Sequence, residues 1–323
     1  MSLTIWCNAK FPDAAEQLLR EGTRGHQLIF SSTLLDNVLA VGKTDPTLAE
    51  ADVALGQPDV EDCLHSPRLK WIEAISAGYT RFDREDFRVA LRARGAAFTN
   101  ASSVFSEPCA QHVLASMLAL GRNLYPSYRD QLTDRSWHYE ERRRDVQLLT
   151  GQTVLMLGFG AIGRRLAELL APFRMQIYAV RRQTRSEPGV RIMAEEELTR
   201  VLPLADHVVN VLSDNETTRG YVNARRLGWF KPGAKFYNVG RGTTVDQRAL
   251  LEALQNGRLG AACLDVTDPE PLPPEHPLWT ARNCFITSHT AGGRPDQGEA
   301  LVRHLLANLA AFTNGSGLAD RVM

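Results

Sequence analysis

Val154-Leu155-Met156-Leu157-Gly158-Phe159-Gly160-Ala161-Ile162-Gly163 is an apolar run that passes straight into glycines at GxGxxG spacing. A helical pattern, Arg164 to Leu170, follows at once. The context predicts a buried strand, a tight turn and a helix. Gly158 permits the turn, Gly160 lets backbone approach a pyrophosphate, and Gly163 allows close helix packing, with Ala161 and Ile162 completing a helix N-terminus that attracts an anion. Taken alone, the glycines could equally be a tight turn. Inside a βαβ unit they read as a dinucleotide-binding loop.

Downstream, further β-rich runs alternate with helix-length segments: Gln176 to Val180, His207 to Leu212, Lys235 to Val239, Ala261 to Val266 and Cys284 to Thr287. With Thr153 to Leu157 they make six strands, the number of a Rossmann-type sheet. The second strand ends at Val180, where such domains usually offer a carboxylate to the ribose hydroxyls. Here Arg181-Arg182 follows, with Arg185 nearby. Guanidinium groups suit a 2′-phosphate, so NADP is expected in preference to NAD. A solvated arginine cluster is the bland alternative.

Upstream, Leu3 to Cys7, Gln27 to Ser31, Val53 to Gly56, Trp71 to Ser76 and Ala97 to Asn100 read as strands separated by helical segments and by turns such as Asp45-Pro46 and Gln57-Pro58. They predict a second, smaller doubly wound module. A helix opened by Ser106-Glu107-Pro108 would link the two, and a last helix, about Gln297 to Phe312, would return to the first. The fold class is therefore α/β: a Rossmann NAD(P)-binding domain (103–292) plus a smaller flavodoxin-like substrate domain (1–102 with 293–323).

The 323-residue length fits two domains. Lys plus Arg and Asp plus Glu balance at 37 each, which points away from nucleic acid or an anionic membrane as partner. Cys7, Cys63, Cys109, Cys263 and Cys284 lack disulfide-framework or CxxC spacing, so a reducing, cytoplasmic setting is expected. No signal peptide or spanning segment is read. His26, His65, His112, His207, His276 and His304 show no ligand spacing, and no metal is expected.

Three segments carry the chemistry: Asn238-Val239-Gly240-Arg241-Gly242, Leu264-Asp265-Val266-Thr267-Asp268-Pro269-Glu270-Pro271, and Thr287-Ser288-His289-Thr290-Ala291-Gly292-Gly293. Each follows an apolar strand, and in open α/β sheets ligands bind beyond the strands' carboxyl ends. Singly, Arg241, Glu270 and His289 could be ordinary loop residues. Their order and spacing, with Ile75-Ser76-Ala77-Gly78, Pro271-Leu272 and Pro277-Leu278-Trp279, resemble the D-isomer-specific 2-hydroxyacid dehydrogenases over nearly the whole chain. That group includes glyoxylate/hydroxypyruvate reductases.

The resemblance implies a catalytic set of Arg241, Glu270 and His289. His289 would be the proton donor to the carbonyl of a small 2-keto acid, reduced to a D-2-hydroxy acid. Glu270 would orient the imidazole and stabilise its charged form. Arg241 would bind the carboxylate and polarise the keto group. Backbone amides around Ala77 and Gly78 would hold the same carboxylate, Asp265 the nicotinamide carboxamide, and Leu212, Val239, Gly240, His289 and Gly292 would border the cofactor. A homodimer is implied as well.

Three positions depart from the family pattern: Ser288 where proline is commoner, Gln111 where glutamate is, and Thr267 where an aromatic is. They put substrate preference in question more than reaction type. Trp137, His138 and Trp279 could shape the pocket or a dimer surface, with aromatic packing as the default reading for all three. The rival reading is a non-catalytic dinucleotide-sensing protein like the corepressors that share this fold. It lacks support from any long disordered tail or basic patch.

Overall fold

The computed structural model describes residues 2–181 and 186–323, so Arg182 and Arg185 lie outside the described residues. The chain divides into two compact units, Met1–Phe105 with Arg294–Met323, and Ser106–Gly293.

In the first unit, β1 (Thr4–Ala9), β2 (Gln27–Leu35), β3 (Val53–Gly56), β4 (Trp71–Ala74) and β5 (Ala97–Thr99) pair in parallel in the order β2-β1-β3-β4-β5. This is the flavodoxin-like doubly wound order. Every residue of β1, β3, β4 and β5 is buried, as expected for strands covered on both faces, whereas edge strand β2 is mostly not. Helices α1 (Asp13–Gly22), α2 (Val60–His65) and α3 (Glu85–Arg94) connect the strands. The final helix of the chain, Gln297–Asn314, also belongs to this unit. It lies close enough to α1 that a Cβ on Gly22 would stand 2.3 Å from Leu306 Cδ1.

A buried polar cluster ties that helix to the sheet. Glu73 of β4 is 2% exposed; its Oε1 lies 2.9 Å from His304 Nδ1, and its Oε2 accepts from Asn308 Nδ2 at 2.8 Å and Thr99 Oγ1 at 3.1 Å. His304 Nε2 lies 3.2 Å from Asp320 Oδ2. Burial disfavours the charged ring, but bonds to Asp320 and Glu73 prevail and raise its pKa from 6.5 to about 9.

The helix expected to open at Ser106 instead runs from Ser102 to Gly121 (α4), with Pro108 inside it. A local contact and a tertiary one set the earlier start: Asn100 Oδ1 accepts from Ser102 N at 3.2 Å, and Asp320 Oδ2 accepts from Ser103 N at 2.7 Å. Proline cannot donate to the carbonyl four residues back, and that carbonyl, of Val104, accepts from Arg294 Nη1 at 3.3 Å instead.

The second unit is built on β6 (Thr153–Leu157), β7 (Gln176–Val180), β8 (Arg191–Met193), β9 (His207–Asn210), β10 (Ala234–Asn238), β11 (Leu259–Leu264) and β12 (Cys284–Ile286). Its sheet is parallel in the order β12-β11-β10-β9-β6-β7-β8. Counted from β6 this is the Rossmann order with a strand added at the β12 edge. Six strands were expected, and the described residues form seven. The omission, β8, is a three-residue edge strand whose only register is its pairing with Tyr178 to Val180. Helices α5 (Leu124–Leu132), α6 (Tyr139–Arg144), α7 (Ala161–Leu170), α8 (Leu198–Val201), α9 (Ala224–Trp229) and α10 (Gln247–Gln255) complete the unit, and Gln297–Asn314 is α11.

Trp137 overturns the default of aromatic packing and leaves the dimer-surface alternative open: it is 92% exposed, because no described segment of the chain folds over the loop after α5. Trp279 is half-exposed, its Nε1 donating to Pro273 O at 2.9 Å. All five cysteines are free thiols. No described helix is long and apolar enough to cross a membrane.

Candidate active site

β6 ends at Leu157 and α7 begins at Ala161, so the glycine loop occupies the turn between a wholly buried strand and a helix N-terminus. Gly158 has φ +90°, a conformation that side chains disfavour, and a Cβ there would press on Leu212 Cδ2 at 3.3 Å. A Cβ on Gly160 would meet nothing within 4 Å, so this is open space beside the backbone of a helix start. Ala161 and Ile162 form the first turn of α7 beside this opening, where the amides of a helix start have no partner within the helix. Gly163 packs behind, 3.0 Å from Phe159 Cδ2 at its would-be Cβ. Leu212 also backs Gly240, whose would-be Cβ lies 2.6 Å from Leu212 O.

The candidate catalytic side chains stand just past the carboxyl ends of β10, β11 and β12. Arg241 is set by a buried polar lattice. Asn238 Nδ2 donates to Arg241 O at 3.1 Å, Thr244 Oγ1 donates to the same oxygen at 2.6 Å, and Asn210 Nδ2 bridges Asn238 Oδ1 (2.9 Å) and Thr244 Oγ1 (2.7 Å). Asn210, Asn238 and Thr244 are at most 1% exposed. Burial pushes the Arg241 pKa below its usual value, with the charges of Glu270 and Asp214 opposing.

Glu270 Oε2 lies 2.8 Å from His289 Nδ1, while Glu270 Oε1 accepts from Thr267 N at 3.0 Å. The peptide bonds before Pro269 and Pro271 are both cis. Burial raises the Glu270 pKa, but hydrogen bonds from His289 and Thr267 and the charges of His289 and Arg241 outweigh it, so the carboxyl sits below its usual range. An ionised carboxylate fixed on Nδ1 leaves Nε2 as the ring atom able to deliver a proton.

His289 itself has a left-handed backbone, φ 55°. Asp265 enforces that turn. Its carboxylate accepts from Thr287 Oγ1 at 2.6 Å, Thr290 N at 2.9 Å and Ala291 N at 3.0 Å, and its carbonyl accepts from His289 N at 2.9 Å. With Ser288 in place of proline, these bonds rather than a pyrrolidine ring restrict the loop. Val239 is buried just past β10, and Gly292 follows the anchored turn.

In the first unit, the Ser76-Ala77-Gly78 turn follows β4. Ser76 Oγ donates to Gly78 O at 2.7 Å, and Asn100 Nδ2 donates to Ala77 O at 2.7 Å. With these carbonyls engaged, the turn keeps a defined backbone shape.

At the end of β7, Arg181 N donates to Met193 O at 3.3 Å, and Arg181 Nη1 lies 3.4 Å from Glu187 Oε1. The same oxygen is 3.3 Å from Arg164 Nε in α7. Neither Arg164 nor Glu187 was singled out from sequence. Nor were Asn210 and Thr244, which act through β9 and β10 becoming neighbours. Gln247 was missed too; its Oε1 accepts from Asp268 N at 3.1 Å and so holds the Glu270 loop. Apart from this region, Asp130, Asp134 and His138 bring ligand atoms within 4.8 Å of one another. Both Asp130 oxygens are engaged by Arg142, at 2.6 and 2.7 Å, which makes this an ion-pair cluster.

Rossmann topology, an open glycine turn and an Arg, Glu, His group beyond the strand ends together describe a nucleotide-dependent oxidoreductase. The model for the NAD binding domain of D-isomer specific 2-hydroxyacid dehydrogenases matches residues 114–291. A glyoxylate reductase of Pyrococcus furiosus is 30% identical over 270 residues, covering 80% of this chain and 76% of that one. The glyoxylate reductase/hydroxypyruvate reductase of Homo sapiens is 32% identical over 224 residues, 68% of this chain and 67% of its own. Among solved structures, a D-isomer specific 2-hydroxyacid dehydrogenase from Xanthobacter autotrophicus Py2 in complex with NADPH and MES superposes with TM-score 0.84 at 26% identity, covering 100% and 98% of the two chains. The chain belongs to the D-isomer specific 2-hydroxyacid dehydrogenase family. It is an oxidoreductase of that class and binds a nicotinamide dinucleotide.

Proposed function

We propose that this protein reduces a small 2-keto acid of the glyoxylate or hydroxypyruvate type to the D-2-hydroxy acid, using NADPH in preference to NADH. The observation that carries the reading is the 2.8 Å Glu270 to His289 contact beside the fixed Arg241. The names of the glyoxylate reductase relatives support the substrate class. The bound NADPH of the Xanthobacter structure and Arg181 at the end of β7 support the cofactor preference.

The amides around Gly160 and Ala161 hold the pyrophosphate, while Leu212, Val239, Gly240 and Gly292 border the nicotinamide half. A reduced nicotinamide bound there supplies the hydride. Arg241 binds the substrate carboxylate through its guanidinium and polarises the keto oxygen. The amides of Ala77 and Gly78 are the second carboxylate site. His289, as imidazolium, donates its Nε2 proton to the oxygen as charge builds there, and Glu270 holds the ring and stabilises its charged form. Asp265 sets the loop and presents its remaining acceptor capacity to the carboxamide.

On this reading residues 1–102 with 293–323 form the substrate domain and 103–292 the dinucleotide domain. The protein works as a cytoplasmic homodimer without a metal; the free thiols fit a reducing compartment, and exposed apolar residues from Leu124 to Leu148 supply a face for a second copy.

The test is the initial rate of NADPH and of NADH oxidation with glyoxylate, hydroxypyruvate, pyruvate and phenylpyruvate, for wild type and His289→Ala. Turnover with NADPH preferred and abolished in the variant sustains the reading. Tight NADPH binding without turnover on any acid sinks it in favour of a dinucleotide sensor.

A further inference from the structure

We propose that Glu187 is a built-in competitor of the cofactor's 2′-phosphate and lowers the preference of the site for NADP over NAD. The inference rests on the assignment of Arg181 to that phosphate.

Glu187 enters the site from the turn ahead of β8. Its carbonyl accepts from Val190 N at 3.2 Å across a turn in which Gly189 has φ +72°, so its backbone is anchored. One carboxylate oxygen then gathers two guanidinium groups from different elements. Oε1 lies 3.4 Å from Arg181 Nη1, just past β7, and 3.3 Å from Arg164 Nε, in the first turn after the glycine loop. Arg164 also lies over the Phe159 ring, 5.8 Å from its centroid, which keeps it beside that loop. The three side chains are 24%, 22% and 44% exposed for Arg181, Glu187 and Arg164, so an incoming ligand group can reach them.

Among the described residues, two cations facing one anion leave a net positive charge. A phosphomonoester carries close to two negative charges and three strong acceptor oxygens, so it satisfies two guanidinium groups better than one shared carboxylate oxygen does. To bind, it must displace Glu187 or share the site with a like charge. The 2′-hydroxyl of NAD is neutral and meets no such repulsion. The cost of moving Glu187 therefore falls on NADP alone, while Arg164 joins Arg181 as a second phosphate ligand once the carboxylate has moved.

Dissociation constants for NADPH and NADH would be measured on the full-length protein for wild type, Glu187→Gln, Arg164→Gln and Arg181→Gln. Glu187→Gln keeps the shape and removes the charge. It is expected to tighten NADPH by about three- to ten-fold and leave NADH within about two-fold. Arg164→Gln is expected to weaken NADPH selectively. If Glu187→Gln leaves NADPH unchanged or weaker while Arg181→Gln selectively weakens NADPH, the cofactor assignment stands and the competitor role is overturned. Selective loss of NADH in Glu187→Gln also overturns it, since the carboxylate would then be serving the ribose hydroxyls. If Arg181→Gln changes both cofactors equally, the assignment of Arg181 fails and the proposal falls with it.

Discussion

Glu270 and Thr267 close a short ring around the candidate acid: Thr267 N donates to Glu270 Oε1 at 3.0 Å while Glu270 Oε2 faces His289 Nδ1 at 2.8 Å. The carboxylate is thus fixed by its own loop before it meets the imidazole. Glu270→Gln keeps the size but cannot stabilise an imidazolium in the same way. Its kcat is expected to fall by roughly ten- to a hundred-fold with KM little changed. Stopped-flow rates with NADPH and glyoxylate decide it; an unaltered kcat would remove Glu270 from the mechanism.

His289→Ala deletes the proposed proton donor, and kcat should fall by about 10²- to 10⁴-fold while dinucleotide affinity holds. Arg241→Gln removes the proposed carboxylate ligand and polarising charge, so kcat and KM should both worsen. Comparing the two variants by steady-state kinetics separates proton transfer from substrate binding. A rise in KM for His289→Ala alone would reverse these roles.

Asp265 offers three acceptor contacts to the loop that carries His289. Asp265→Ala leaves the buried Ala291 N–H without its acceptor, at a cost of about 1–3 kcal/mol. Thermal unfolding should shift downward and turnover should be lost together. Retention of full activity would show that the left-handed His289 backbone persists without the clamp.

Two histidines, His207 buried and His304 partly buried, should shape stability against pH in opposite directions. His304 has its pKa raised from 6.5 to about 9, so its stabilisation is complete below pH 6.5 and is lost as pH rises through about 9. His207 is buried against Tyr237 OH (2.9 Å) and Gln152 Oε1 (2.7 Å), and burial lowers its pKa from 6.5 to about 3. It stays neutral in the folded chain while the unfolded chain takes up a proton, so stability is lost as pH falls from 6.5 towards 3. Tm measured across pH should lose its alkaline decline in His304→Gln and part of its acid decline in His207→Gln. Parallel curves for all three proteins would refute both assignments.

Tyr128 and Leu132 are 61% and 63% exposed, on the α5 segment next to Trp137. Tyr128→Glu with Leu132→Glu should convert a dimer to a monomer in sedimentation velocity, because charges cannot be buried in an apolar contact. A wild-type monomer would dismiss the homodimer.

Local sequence specified a good deal of this protein. An all-apolar strand followed by GxGxxG can only be satisfied as a buried strand, a tight turn and a helix start, and β6, Gly158 and α7 lie there. The parallel α/β class followed from strands alternating with helix-length segments, and order and spacing along the chain were enough to nominate Arg241, Glu270 and His289 as the candidate set. Edge strand β8 was not, because three residues carry no periodicity and its register comes from β7. The start of α4 was misplaced because Asp320, more than two hundred positions away, supplies an acceptor for Ser103 N.

What the sequence determined by itself is what nearest neighbours along the chain decide: strand and helix type, the turn chemistry of the glycines, and which side chains are available to the site. Only the tertiary structure decided which of them meet. Asn210 and Thr244 hold Arg241 because β9 pairs with β10, and Glu187 reaches Arg164 because β7 and β8 carry its turn back beside α7. Such contacts depend on strand order and register, which arise from burying both faces of a sheet at once, and no single segment encodes that burial.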